Sequence, residues 1–233
     1  MPKCPKCDGE VREDTSFCPY CGYNLKPGEL GAGAPGERKR GYTEHLTIGY
    51  NVAIHNPMVF VPTILAGLIS SGINWLGQGT PGFIPLLVSI AASIVSFLLS
   101  FASLDMSRDA YNQQPLNLQE SIGYVSGRFL VFLVAAIVGG IMAVTIFLIP
   151  VVLLMFCIMV VDETGLTSAL SKAFSVLGAD LKDILLILLV NILGAVVISF
   201  VPLVSGLLVS ALNVVIGLAF IDLYHNYKGS AQG

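Results

Sequence analysis

Four cysteines stand at the head of the chain in two close pairs: Cys4 and Cys7, then ten residues, then Cys18 and Cys21. Each Cys-x-x-Cys pair suits a tight turn that aims two thiolates at one point. Two such turns complete a closed tetrahedral Cys4 site for one structural Zn2+. Pro5 and Pro19 preset the turns, and Gly22 suits a position of positive φ after the fourth ligand. So short a segment buries no core of its own, so the metal must supply folding free energy on the order of 10 kcal/mol. A closed site offers no open position to a substrate. The competing reading, a redox dithiol, lacks the βαβ surroundings such motifs need.

The other candidates for chemistry are sparse. Asp105, Asp162 and Asp222 each follow an apolar run (FASLD, IMVVD, AFID) and form a candidate acidic cluster at one membrane face. An aspartate there would meet the negative end of a helix dipole, which costs up to about 1 kcal/mol. Pairing with Arg108, Arg128, Lys172 or Lys182 could offset it, as could a bound cation, a cationic partner or exposure to water. Asn191 and Asn213 fall at similar depth in the last two apolar runs and are expected to pair between helices. His225, three residues beyond Asp222, is expected to be solvated, and Cys157 to be a small packing residue. The chain holds no GxSxG, P-loop, GxGxxG or HExxH motif, and no catalytic residue is assigned. The expectation is a protein that is not an enzyme.

The elements that must position these residues are membrane helices. Of 233 residues 55% are hydrophobic and 12% are charged, about half the charge of a soluble domain. Residues 1–26 read as the zinc ribbon and 27–43, rich in Gly and Pro, as a flexible linker. Residues 44–228 read as a six-span transmembrane domain and 229–233 as a tail. No signal-peptide pattern opens the chain, which predicts cytosolic N- and C-termini in a multi-pass protein of the plasma membrane. Arg38, Lys39 and Arg40 stand just ahead of the first span, as headgroup contacts or as a topology signal. The net charge is −3, and residues 1–30 carry four basic against five acidic side chains, which argues against nucleic acid as a partner.

Apolar runs cover roughly 57–76, 83–104, 129–161, 183–201 and 204–221. The third is too long for one span of about 20 residues and short for two. It reads as two short spans or as one long kinked helix. Charge favours two. With six spans, every Lys and Arg (Arg108, Arg128, Lys172, Lys182, Lys228 and those of the head) falls on the cytosolic side. An internal repeat agrees. Segments beginning at Leu46, Leu118 and Leu170 align without gaps. Each carries an apolar stripe: Leu46/Tyr50/Ala53, Leu118/Ile122/Val125 and Leu170/Phe174/Leu177. The expected fold is therefore all-α. It is a six-helix bundle of three units, each an interfacial amphipathic helix followed by a hairpin, with the ribbon in front. From segment start to aspartate the units span 59, 44 and 52 residues, so the middle unit is the shortest.

The head, with Phe17 before the third cysteine and Gly22 after the fourth, resembles the zinc ribbons at the N-termini of prokaryotic membrane proteins. It departs from them at Asp8, where they usually have Gly. Ile149-Pro150, Asp162-Glu163 and Ala169-Leu170-Ser171-Lys172 resemble a six-span prokaryotic family. That family includes the membrane domain accompanying some glycerophosphodiester phosphodiesterases, though Ala173 stands where it usually has Ser. The resemblance implies a non-catalytic membrane module, and no active-site residue carries over. Two functions fit these readings. One is an adaptor or regulator that recruits a protein partner through the ribbon, while the helical part embeds in the bilayer or forms a homo-oligomer. The other is a transporter or lipid-handling protein regulated by the ribbon. A filled apolar core would favour the first, and a polar cavity between the hairpins the second.

Overall fold

The structure, a computed structural model, describes residues 40–77, 83–201 and 205–231. The ribbon cysteines Cys4, Cys7, Cys18 and Cys21 lie outside the described residues, as does most of the linker. The described residues are helical throughout, with no strand among them. The α-helices are α1 (Tyr42–His55), α2 (Val61–Gly77), α3 (Phe83–Tyr111), α4 (Leu118–Gly127), α5 (Phe129–Ala143), α6 (Ile149–Val161), α7 (Leu166–Ser199) and α8 (Ser205–Ala231). Short 3-10 turns at Pro57–Phe60 and Ile146–Leu148 precede α2 and α6.

The repeat is visible in the backbone. The eleventh residue of each aligned segment is Asn56, Arg128 or Asp180, and the helix breaks at all three. Their φ/ψ pairs are −128/66, −113/19 and −131/31. The chain turns by 96° between α1 and the helix after it, and by 76° between α4 and α5. In α7 the break is a kink inside one continuous helix. Each unit is thus a short helix, a break and a hairpin: α1 with α2–α3, α4 with α5–α6, and the first half of α7 with its second half and α8. Local chemistry sets the starts. The Asn117 side chain caps α4 by accepting from the Gln119 and Glu120 amides, and Pro150 sits in the first turn of α6, where its missing N–H costs nothing.

The apolar stripes mark the buried face only in part: Ala53 and Val125 are buried and Leu46, Ile122, Leu170 and Leu177 pack against the core. Facing inward are His45, Ile48, Gly49 and Ala53 of α1, Ser121 and Val125 of α4, and Ala169, Ala173 and Val176 of α7, whereas Tyr50 and Phe174 are exposed. The fourth residue of every segment, Gly49, Ser121 or Ala173, is small and buried. Beside lipid an apolar face needs no protein partner, and small residues mark the helix contact instead. Gly49 shows why. A Cβ there would lie 2.6 Å from the Val215 carbonyl oxygen and 2.9 Å from the Ala219 nitrogen, so α1 rests on the α8 backbone.

The core is filled and apolar. Phe101 packs at 4.5 Å from Phe132 and edge-on to Phe156, with Leu154, Met155, Ile158, Ile184, Ile187 and Phe220 buried around them. Cys157 is buried in this core. Outward-facing Leu130, Ile137, Ile141 and Phe147 are exposed, as helices beside lipid require.

Three helices are long and apolar enough to cross a membrane, or up to five if each bent pair is one span. Residues 129–161 form two short helices rather than one long kinked one. A Cβ on Gly139 would meet Val152 and Phe156, the register of an antiparallel hairpin. With 15 and 13 residues, α5 and α6 rise about 22 and 20 Å, short of a hydrocarbon core of about 30 Å.

Candidate functional site

The three aspartates gather with their partners in one polar layer at one end of the bundle. They do not converge on a common point. Each meets the short helix of the next unit, but only Asp162 and Asp222 hold a set of hydrogen-bond donors. Asp105, on α3, lies near Ser121 of α4, yet its Oδ1 and the Ser121 hydroxyl are both buried without a hydrogen-bond partner among the described residues. Asp162, the residue that ends α6, accepts from Lys172 in the first half of α7. Asp222, on α8, faces His45 of α1. The third contact closes the sequence of units into a ring.

The closing joint is the most buried. Asp222 is fully enclosed, with 0% exposure. Arg40 donates to its Oδ1 at 2.8 Å and the Tyr111 hydroxyl donates to the same oxygen at 2.6 Å. His45 Nδ1 stands 2.6 Å from Oδ2, and because a carboxylate only accepts, Nδ1 carries the hydrogen. The chain entering α1 is pinned beside it. The Arg40 amide donates to Asn226 Oδ1 at 3.2 Å, and the Tyr42 amide donates to Asp183 Oδ1 at 3.1 Å. Arg40, expected at lipid headgroups or as a topology signal, is thus an internal partner.

Asp162 accepts from Lys172 and Tyr224 on one oxygen and from Lys228 on the other at 2.9 Å. Burial alone would raise its pKa, but the lysines and the tyrosine hydroxyl hold the carboxyl down to about 2. Asp105 contacts the Arg108 guanidinium at 2.9 Å. Arg108 also reaches Asp109, Glu163 and the Val160 carbonyl, and its guanidinium lies over the Tyr124 ring. Arg128 donates to the Tyr124 hydroxyl and the Thr164 carbonyl, tying the second unit to itself.

Helix-dipole cost bears on Asp162 alone, because α3 and α8 continue well past Asp105 and Asp222. His225, expected to be solvated, stacks on Tyr111 with ring centroids 4.9 Å apart, and its Nε2 is buried without a hydrogen-bond partner. Asn191 and Asn213 form no pair. Asn191 Oδ1 is buried and unpartnered, while Asn213 lines a groove on the flank of the bundle. Equal depth along two helices does not place two side chains on facing sides. Among the described residues no three His, Cys, Asp or Glu side chains come together as a metal site.

With Asp162 and Asp222 engaged by cations and hydroxyls, and Asp105 in contact with Arg108, the layer is suited to fastening helices. The class that fold and site define, over the described residues, is an all-helical, membrane-type protein with three to five candidate spans. Compared with known proteins, the chain matches no family model, no curated protein and no solved structure.

Proposed function

We propose that the protein is a membrane-embedded adaptor, not an enzyme, whose N-terminal Cys4 ribbon binds one structural Zn2+ and recruits a protein partner. The observation that carries this reading is the seating of Arg40. The chain that follows the head is bound to the buried Asp222, so the head is offered from a fixed point on a bundle with a filled core. In this reading the bundle crosses the plasma membrane six times, with α5–α6 crossing where the bilayer is thinned, and both termini face the cytosol. The test is zinc content and partner capture from detergent-solubilised membranes, comparing wild type with a Cys18→Ser/Cys21→Ser variant. One zinc per chain and a partner that both disappear in the variant support the adaptor. Loss of zinc with an unchanged set of partners refutes the ribbon as recruiter. The lipid-handling alternative draws on one feature, the polar groove that Asn213 lines.

A further inference from the structure

Serines recur along α3 at Ser89, Ser93, Ser96, Ser100, Ser103 and Ser107, alternately four and three residues apart, which keeps them on one helix face. Where α2 and α8 flank this face a groove of about 440 Å³ opens, within the range of small-ligand sites. Thr63, Ser100, Ser107, Ser210 and Asn213 are among the groups lining it, and no charged side chain does.

The hydroxyls have a common orientation. Ser100, Ser107 and Ser210 each donate at 2.8 Å to a backbone carbonyl four residues earlier. Thr63 donates to the Phe60 carbonyl and Ser103 to the Val59 carbonyl. Their protons are committed to backbone carbonyls, so each hydroxyl oxygen has only acceptor capacity left to offer a ligand. The Asn213 side chain, in the middle of an apolar helix, is exposed on the flank where it lines the groove, and it makes no hydrogen bond to the described residues. An amide without a partner in hydrocarbon is costly, which is an observation separate from the serine pattern and calls for a polar occupant. Gly67 makes room for one, since nothing lies within 4 Å of where its Cβ would be. Neighbouring Ile64, Leu65 and Leu68 on α2, and Leu207 and Leu208 on α8, are exposed and apolar.

We infer that this groove binds the uncharged, hydroxyl-bearing headgroup of a membrane lipid, with a 1,2-diol as the simplest match. Diol hydroxyls donate to the serine and threonine lone pairs and accept from the Asn213 amide. A phosphate fits poorly, because the hydroxyl protons are already used and no cation is among the described residues that line the groove. The apolar borders suit acyl chains, which favours a lipid over a free polyol. The inference is independent of the adaptor reading.

The test uses the full chain in lipid nanodiscs and a 1-monoacylglycerol with a photoreactive acyl chain, whose glycerol keeps a free 1,2-diol. Gly67→Leu fills the groove from a position with free space, and Asn213→Leu removes the amide. Gly178→Leu, also in open space but away from the groove, is the control. We expect labelling to fall at least tenfold in both groove variants and to persist in the control, with zinc content unchanged in all three. Competition by free glycerol at equal concentration would keep the diol chemistry but assign it to a soluble polyol. Undiminished labelling in Gly67→Leu and Asn213→Leu overturns the site. So does a wild-type dimer that Gly67→Leu splits, because a second copy would then be the occupant.

Discussion

At the residue scale, Asp222 concentrates a guanidinium, an imidazole and a phenol on one enclosed carboxylate. Removing a carboxylate of this kind leaves its cation buried and unpaired. Asp222→Ala is expected to cost about 3–5 kcal/mol, read as a lowered thermal midpoint in detergent, and Asp222→Asn, which keeps the shape and one acceptor, to cost less. Asp162 gives a pH signature. Its carboxyl titrates near 3.8 when unpaired and near 2 in the fold. A depressed value means that the stabilisation is fully present above about pH 4 and is lost as pH falls towards 2. Its size is at most about 2 kcal/mol, reduced by solvent because Lys172 and Lys228 are 42% and 40% exposed. Acid unfolding of Asp162→Asn should therefore show a shallower loss of stability over this window than wild type. The sequence exposed some of this pairing and concealed the rest. Arg108 and Lys172 are legible because they stand three and ten residues from their aspartates. Arg40 and His45 lie 182 and 177 residues from theirs, a distance only the closed bundle bridges.

At the scale of elements, the helix breaks follow the repeat more faithfully than the apolar stripes do. Asn56, Arg128 and Asp180 are unlike in chemistry, and what they share is position. The stripe is an incomplete guide, with Ala53 and Val125 buried but Tyr50 and Phe174 exposed, because lipid rewards apolar surface on any outward face. Small residues remain a sign of contact, because they alone let backbones approach. Two glycines test the distinction. Gly49→Ala would set a methyl group against the α8 backbone and force α1 away, at an expected cost of about 2 kcal/mol or more. Gly178→Ala, in a helix with nothing within 4 Å of the new methyl, should stabilise by roughly 0.5–1 kcal/mol. Paired thermal unfolding curves in one detergent decide both.

At the scale of the whole molecule, the all-helical character of the described residues was readable in the hydropathy. The number of crossings was not, because a span needs length as well as apolarity and α5 and α6 have only the second. In the six-span reading, a hairpin about 20 Å tall beside longer helices would draw the bilayer inward around it, at a cost of fractions of a kcal/mol per Å. If it crosses, Phe147→Cys in the turn, where Phe147 is 91% exposed, should react in intact cells with a maleimide that cannot cross the membrane. Reaction only after permeabilisation would show a hairpin that enters and leaves on the same side.

The ring also sets an order of events during synthesis. α1 leaves the ribosome with His45, Ile48 and Gly49 facing a neighbour that does not yet exist, and Asp222 follows 177 residues later. At 5–20 residues per second that is a wait of roughly 10–40 s. For that interval the first helix is an open end in the membrane, and a chain stopped before α8 would keep it open.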